Sequence, residues 1–78
     1  MNGRLPSSLT AREVVRALER AGFVISRTSG SHCRLVHSGD PARKVTTPLH
    51  GSADPRRGTL RSIIAQAGLT VLEFLALL

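Results

Sequence analysis

The chain has 78 residues, with 11 Lys+Arg against 5 Asp+Glu and a formal charge of +6. A chain this short forms one domain with a modest core, which excludes a deep cofactor cleft closed by a second domain and puts any chemistry in a shallow surface site. The cationic excess points to nucleic acid, an anionic membrane or an acidic protein, and the single cysteine, Cys33, excludes a disulfide-stapled scaffold.

Residues 1–7 read as a flexible leader, short and polar, without the apolar core of a signal peptide. Thr10-Ala11-Arg12-Glu13 then fits a capping box, with Thr10 as N-cap and Glu13 three positions on. Val14, Val15 and Leu18 make an apolar stripe flanked by Arg12, Arg16, Glu19 and Arg20, and Gly22 stands where a helix stops. The spacing predicts an amphipathic helix over Ala11–Ala21.

Phe23 to Thr28 is rich in β-branched residues and reads as a strand. Ser29-Gly30-Ser31 is a turn, and His32 to His37 alternates as a second strand. Ser38-Gly39-Asp40-Pro41 is a second turn. Arg43 to Thr47 is a third strand, ended by Pro48. Short turns make the three strands an antiparallel meander. On the second strand Cys33 and Leu35 share one face and His32 and Arg34 the other. Cys33 and Leu35 fit the core side, so His32 and Arg34 point to the open side. The first strand gives no such assignment, because Phe23, Val24 and Ile25 are consecutive apolar residues.

Leu49 to Arg57 reads as a loop with a basic pair, Arg56-Arg57. Thr59 is expected to cap a helix whose apolar face is Leu60, Ile63, Ile64 and Ala67, ended by Gly68. Thr70-Val71-Leu72-Glu73 is another capping box and opens a short terminal helix running to Leu78. Leu69, Val71, Leu72, Phe74, Leu75, Leu77 and Leu78 are apolar nearly all round that helix, so part packs inward and the rest forms an exposed patch suited to a partner. The order α-β-β-β-α gives an α+β domain, a three-stranded antiparallel meander with helices packed on one face, the arrangement of a double-stranded-RNA-binding domain.

Leu69 to Leu78 is too short to span a bilayer and contains Glu73, and a reducing cytoplasm is the default setting. Two phenylalanines stand beside no Tyr and no Trp, which leaves almost nothing to stack bases on, so any RNA binding is expected through backbone, charge and shape. Ten of the eleven cations are arginine, Lys44 being the exception. Biased codon use accounts for that ratio, and function for the excess.

His32, Cys33, His37 and His50 invite a metal reading. However, His32 and His37 fall on opposite faces of one strand, and Cys33 and His37 lie roughly 13 Å apart at strand rise. Zinc needs ligands at about 2.0–2.3 Å, and no ligand-spaced motif exists. Cys33 as a nucleophile stands against a small buried hydrophobe, and parity favours the latter. His32 as a general acid or base has chemical appeal, because imidazole is suited to proton transfer near neutral pH and RNA supplies its own nucleophile, the 2′-hydroxyl. Arg27, Arg34 and the Arg56-Arg57 pair are the candidate charge stabilisers. From composition alone, a solvated or capping histidine at a strand start is the preferred reading. Arg56-Arg57-Gly58-Thr59 is a candidate phosphate site before a helix N-terminus, equally a basic loop of no particular role. His50 is a second proton donor or a loop surface residue, with the loop favoured.

The chain resembles the HicA family, also called YcfA-like, the small toxin of a type II toxin–antitoxin pair. The matching residues are the leading helix closing at Ala21-Gly22-Phe23, Arg27, Gly30-Ser31-His32, and Val45-Thr46-Thr47-Pro48 before His50. They continue with Gly58-Thr59-Leu60-Arg61, Ile63-Ile64 and Gln66-Ala67-Gly68, and cover about Ser8 to Leu78. The resemblance implies a metal-independent mRNA interferase without a cofactor, a single active-site histidine at His32, and a HicB-type antitoxin that binds the protein and blocks the site. The candidate RNA contacts are Arg27, Gly30, Ser31, Arg34, Lys44, His50, Arg56, Arg57 and Thr59. Two departures stand out: Ser52-Ala53-Asp54-Pro55 fills a loop more often charged in the family, and Cys33 follows the histidine where a histidine or polar residue is frequent. The alternative from a different class is a noncatalytic RNA-binding or protein-interaction module of the same fold.

Overall fold

The computed structural model describes residues 5–6, 9–48 and 55–78. Helix α1 (Ala11–Arg20) begins at the expected capping box: the Thr10 side chain accepts from the Glu13 amide at 3.1 Å, and the Glu13 carboxylate accepts from the Thr10 amide at 3.1 Å. That amide bond, with one the Thr10 hydroxyl donates to the same carboxylate oxygen at 3.0 Å, holds the Glu13 carboxyl below its usual value. Ala11, Val14, Val15, Ala17 and Leu18 are buried, a wider stripe than the three residues expected, because the small alanines let the helix sit close to the sheet. Ala21 closes the helix, and Gly22 follows at φ +100°. A Cβ at Gly22 would stand 3.0 Å from His37 Nε2, so conformation and space both require glycine there.

Strands β1 (Phe23–Ser29), β2 (His32–His37) and β3 (Lys44–Pro48) form an antiparallel sheet in sequence order. The β1–β2 turn is two residues long, since Ser29 pairs with His32. Gly30 takes φ +59° while Ser31 keeps a negative φ, the requirement of a type II′ turn. Strand β3 starts one residue later than expected and includes Pro48, which pairs with His32. Pro48 is tolerated because β3 is an edge strand.

Helix α2 (Arg57–Gln66) starts earlier than expected. Arg56 occupies the N-cap position without a side-chain cap bond, and Thr59 lies inside the first turn rather than capping it. Arg56 is extended at φ −69° and ψ 159°, and Pro55 stands just before it, where its fixed φ and missing N–H cost the helix nothing. Leu60, Ile63 and Ile64 are buried on this helix, with Ala67 just beyond it. Helix α3 (Val71–Leu75) opens with its capping box, the Glu73 carboxylate accepting from the Thr70 amide at 2.8 Å. Those bonds hold the Glu73 carboxyl below its usual value too.

The helices cover one face of the sheet. Val14, Leu18, Phe23, Leu35, Val45, Leu60, Ile63 and Phe74 are at most 2% exposed and meet in one core. Leu5, inside the expected leader of residues 1–7, and Leu9 just beyond it are buried in that core as well. Of the apolar C-terminal segment, Phe74 is buried, Leu69, Val71, Leu75 and Leu77 pack partly against the core, and only Leu72 and Leu78 are large exposed hydrophobics. The expected patch thus shrinks to two side chains, unremarkable for a monomer surface. Arg43, just ahead of β3, binds the end of α2: its Nε donates to the Ala67 carbonyl at 2.9 Å and its guanidinium lies 5.5 Å from the Phe23 ring centre. No helix among the described residues is long and apolar enough to cross a membrane.

Candidate active site

The uncovered face of the sheet is laid out by strand pairing. At the hairpin end Ser29, His32 and Pro48 form one cross-strand row. Arg27, Arg34 and Thr46 form the next, and Val24, Val36 and Lys44 the third. Successive rows are two β2 residues apart, roughly 7 Å. Cβ atoms directly opposite within a row are about 4.5–5.5 Å apart. His32 therefore stands next to Arg34 along its own strand and beside Ser29 across the turn.

The expected parity of β2 holds: Cys33 and Leu35 are 2% and 0% exposed, while His32 and Arg34 are exposed. The parity of β1 depends on a bulge. Ile25 pairs with Leu35, but Arg27 rather than Ser26 pairs with Arg34. Two residues of β1 thus oppose one of β2. Phe23 and Ile25 face the core, yet Arg27 and Ser29, at the same odd spacing, share the face of His32. The Ser26 hydroxyl donates to the Arg34 carbonyl at 3.2 Å beside the irregularity.

A shallow depression of about 230 Å³ is lined by Arg27, Ser29, His32, Cys33, Arg34 and Thr46. Two arginines directly opposite each other repel at roughly 0.2–1 kcal/mol. Placing them there does nothing for the sheet; an anion between them relieves the repulsion, and a guanidinium presents a planar fork of donors to phosphate. Ser29 and Thr46 line the depression but are absent from the expected contacts, since the sequence places Thr46 in the third strand and Ser29 in the turn with no sign of the face they share. Only the bulge and the register bring them to this face.

The remaining expected contacts divide clearly. Arg27 and Arg34 adjoin His32. Gly30 and Ser31 form the exposed turn that aims the first residue of β2. Lys44 stands one row farther along the same face. Arg56, Arg57 and Thr59 are exposed at the start of α2 and do not line the depression. His50 lies outside the described residues, as do Ser52, Ala53 and Asp54.

The other candidate groups are occupied or hidden. The Cys33 thiol is pushed up by burial, with Glu19 adding to the shift, which makes it a packing group rather than a nucleophile. Half-buried His37 packs edge-on against Phe23, with ring centres 5.1 Å apart. Its Nε2 lies 3.1 Å from the Ala21 carbonyl, and its Nδ1 accepts from the Gly39 and Asp40 amides at 3.0 and 3.1 Å. Among the described residues, no three His, Cys, Asp or Glu side chains converge as metal ligands.

A family model described as the HicA toxin of bacterial toxin–antitoxin matches residues 11–69. The match runs from the first residue of α1 to just past α2 and includes all three rows of the open face. No curated protein matches the chain.

Proposed function

This chain belongs to the HicA toxin family of bacterial toxin–antitoxin systems, and from that premise we propose that it is an endoribonuclease acting on mRNA through His32. The observation that carries the reading is the cross-strand arginine pair in the row next to an exposed histidine. The paired guanidinium groups hold a phosphodiester and stabilise the charge that builds on it as it is attacked. His32 takes the proton of the RNA 2′-hydroxyl as the oxygen attacks the adjacent phosphorus. The bond to the 5′-oxygen breaks, leaving a 2′,3′-cyclic phosphate and a 5′-hydroxyl after that oxygen gains a proton. Because the nucleophile comes from RNA itself, the proposed step is metal-independent and needs no cofactor.

A HicB-type antitoxin is the proposed protein partner, covering the same cationic face, and the cytoplasm is the proposed location, where mRNA is the substrate. The test is cleavage of a transcript by wild type and His32→Ala, with and without chelator, alongside binding of a 2′-O-methyl RNA that cannot react. His32→Ala should lose about 10²–10⁴-fold in cleavage rate while binding stays within a few fold. Equal cleavage by the two proteins sinks the assignment of His32, and chelator-sensitive cleavage sinks the metal-independent step. Binding without any cleavage by wild type would identify a noncatalytic RNA-binding module.

A further inference from the structure

Strand β1 cannot present Arg27 and Ser29 to RNA while remaining regular with residue 26 in place. Counting by two from Phe23 and Ile25, both of which face the core, positions 27 and 29 belong on the inner side. In that register Ser26 would oppose Arg34, and Arg27 would turn toward Cys33. The observed pairing instead skips Ser26, so that Arg27 opposes Arg34 and Ser29 opposes His32. One inserted residue therefore moves two side chains to the site face. The group that ties the inserted residue down is the Ser26 hydroxyl, through its bond to the Arg34 carbonyl at 3.2 Å.

We propose that Ser26 is a positioning residue of the RNA site: its hydroxyl selects the bulged register that places Arg27 across from Arg34 and Ser29 beside His32. The inference rests on the ribonuclease reading for its ligand, and on the sheet register for its geometry. A bulge on an edge strand has a second use, to discourage pairing with another chain. That use does not call for two arginines to face each other across the ladder, nor for a polar residue opposite the histidine. The type II′ turn at Gly30 works in the same direction, since a two-residue loop requires the Ser29–His32 pair.

The test uses the full chain and a 2′-O-methyl RNA oligonucleotide, with binding measured across a range of salt concentrations. Each phosphate contact to a single strand contributes about 0.7 to the slope of log K against log salt. Ser26→Ala should lower the slope by about 0.7, matching Arg27→Ala, and the double variant should lose no more than either alone. Ser26→Thr keeps a hydroxyl and should restore the wild-type slope. Deleting residue 26 removes the need for a bulge and leaves Arg27 across from Arg34 in a regular ladder, so it should also keep the wild-type slope. A purely structural role would change the melting temperature of Ser26→Ala and leave its slope untouched, and that result overturns the proposal. Loss of slope on deletion overturns it as well. If wild type fails to bind this RNA, the ribonuclease reading falls and this inference with it; wild-type binding with an unaltered Ser26→Ala slope removes this inference alone.

Discussion

His37 is held by partners in the fold while exposed His32 carries the proposed chemistry, and truncating each separates the two roles. His37→Ala removes the Nε2 contact to the Ala21 carbonyl, the Nδ1 acceptor for the Gly39 and Asp40 amides, and the edge-on packing against Phe23. The partly buried carbonyl bond is worth about 1 kcal/mol, and the aromatic contact about 0.5–1.5 kcal/mol. The two amides sit in an exposed turn where water replaces the ring, so they add about 0.5–1 kcal/mol together. The sum is about 2–3.5 kcal/mol, which in a chain of this length lowers the melting temperature by roughly 8–28 °C. Exposed His32 has no such partners among the described residues, and His32→Ala should stay within about 0.5 kcal/mol of wild type. Thermal and urea unfolding measure both effects. RNA cleavage below the melting range supplies the contrast, with His37→Ala active and His32→Ala inactive. A His37→Ala protein as stable as wild type, or a His32→Ala protein that melts with it, would refute this division.

Acid should weaken both helix starts. Glu13 and Glu73 have carboxyls held below the usual value by their capping bonds, so the unfolded chain binds more protons than the folded one as pH falls. Their contribution is complete above the unfolded glutamate value of about 4.3 and disappears as pH drops through the lower folded values. Urea midpoints between pH 7 and pH 3 should fall less in the Glu13→Gln, Glu73→Gln double variant than in wild type; an equal fall contradicts the assignment. The Cys33 thiol, 2% exposed and pushed up by burial, should react with iodoacetamide only as fast as the fold opens. Alkylation of the native protein at the rate seen in urea would show that the thiol is accessible.

Local signals carried much of the reading. The capping boxes at Thr10 and Thr70 were legible because cap and partner lie three residues apart, and the resulting bonds form within one helical turn. Strand β2 was legible because Cys33 and Leu35 alternate with His32 and Arg34, and a single buried face enforces that alternation. The start of α2 is hidden from the sequence because Thr59 is a good cap by residue type, while Arg56 takes the position after Pro55 without any side-chain bond. The Gly39 and Asp40 amides lie only two and three residues beyond His37, but its contacts to Ala21 and Phe23 are made only by folding and leave no local sign.

The sequence by itself determined the order of elements, the outward direction of His32 and Arg34, and the glycines on which the turns depend, because each follows from chemistry within a few residues. Tertiary structure decided which side chains stand beside His32. Arg27 and Ser29 reach it through a bulge, and Thr46 lies in the Arg34 row through the register of β3. Shifting one residue in a ladder reverses every side chain beyond it. That choice belongs to the paired strands together, and neither strand read alone contains it.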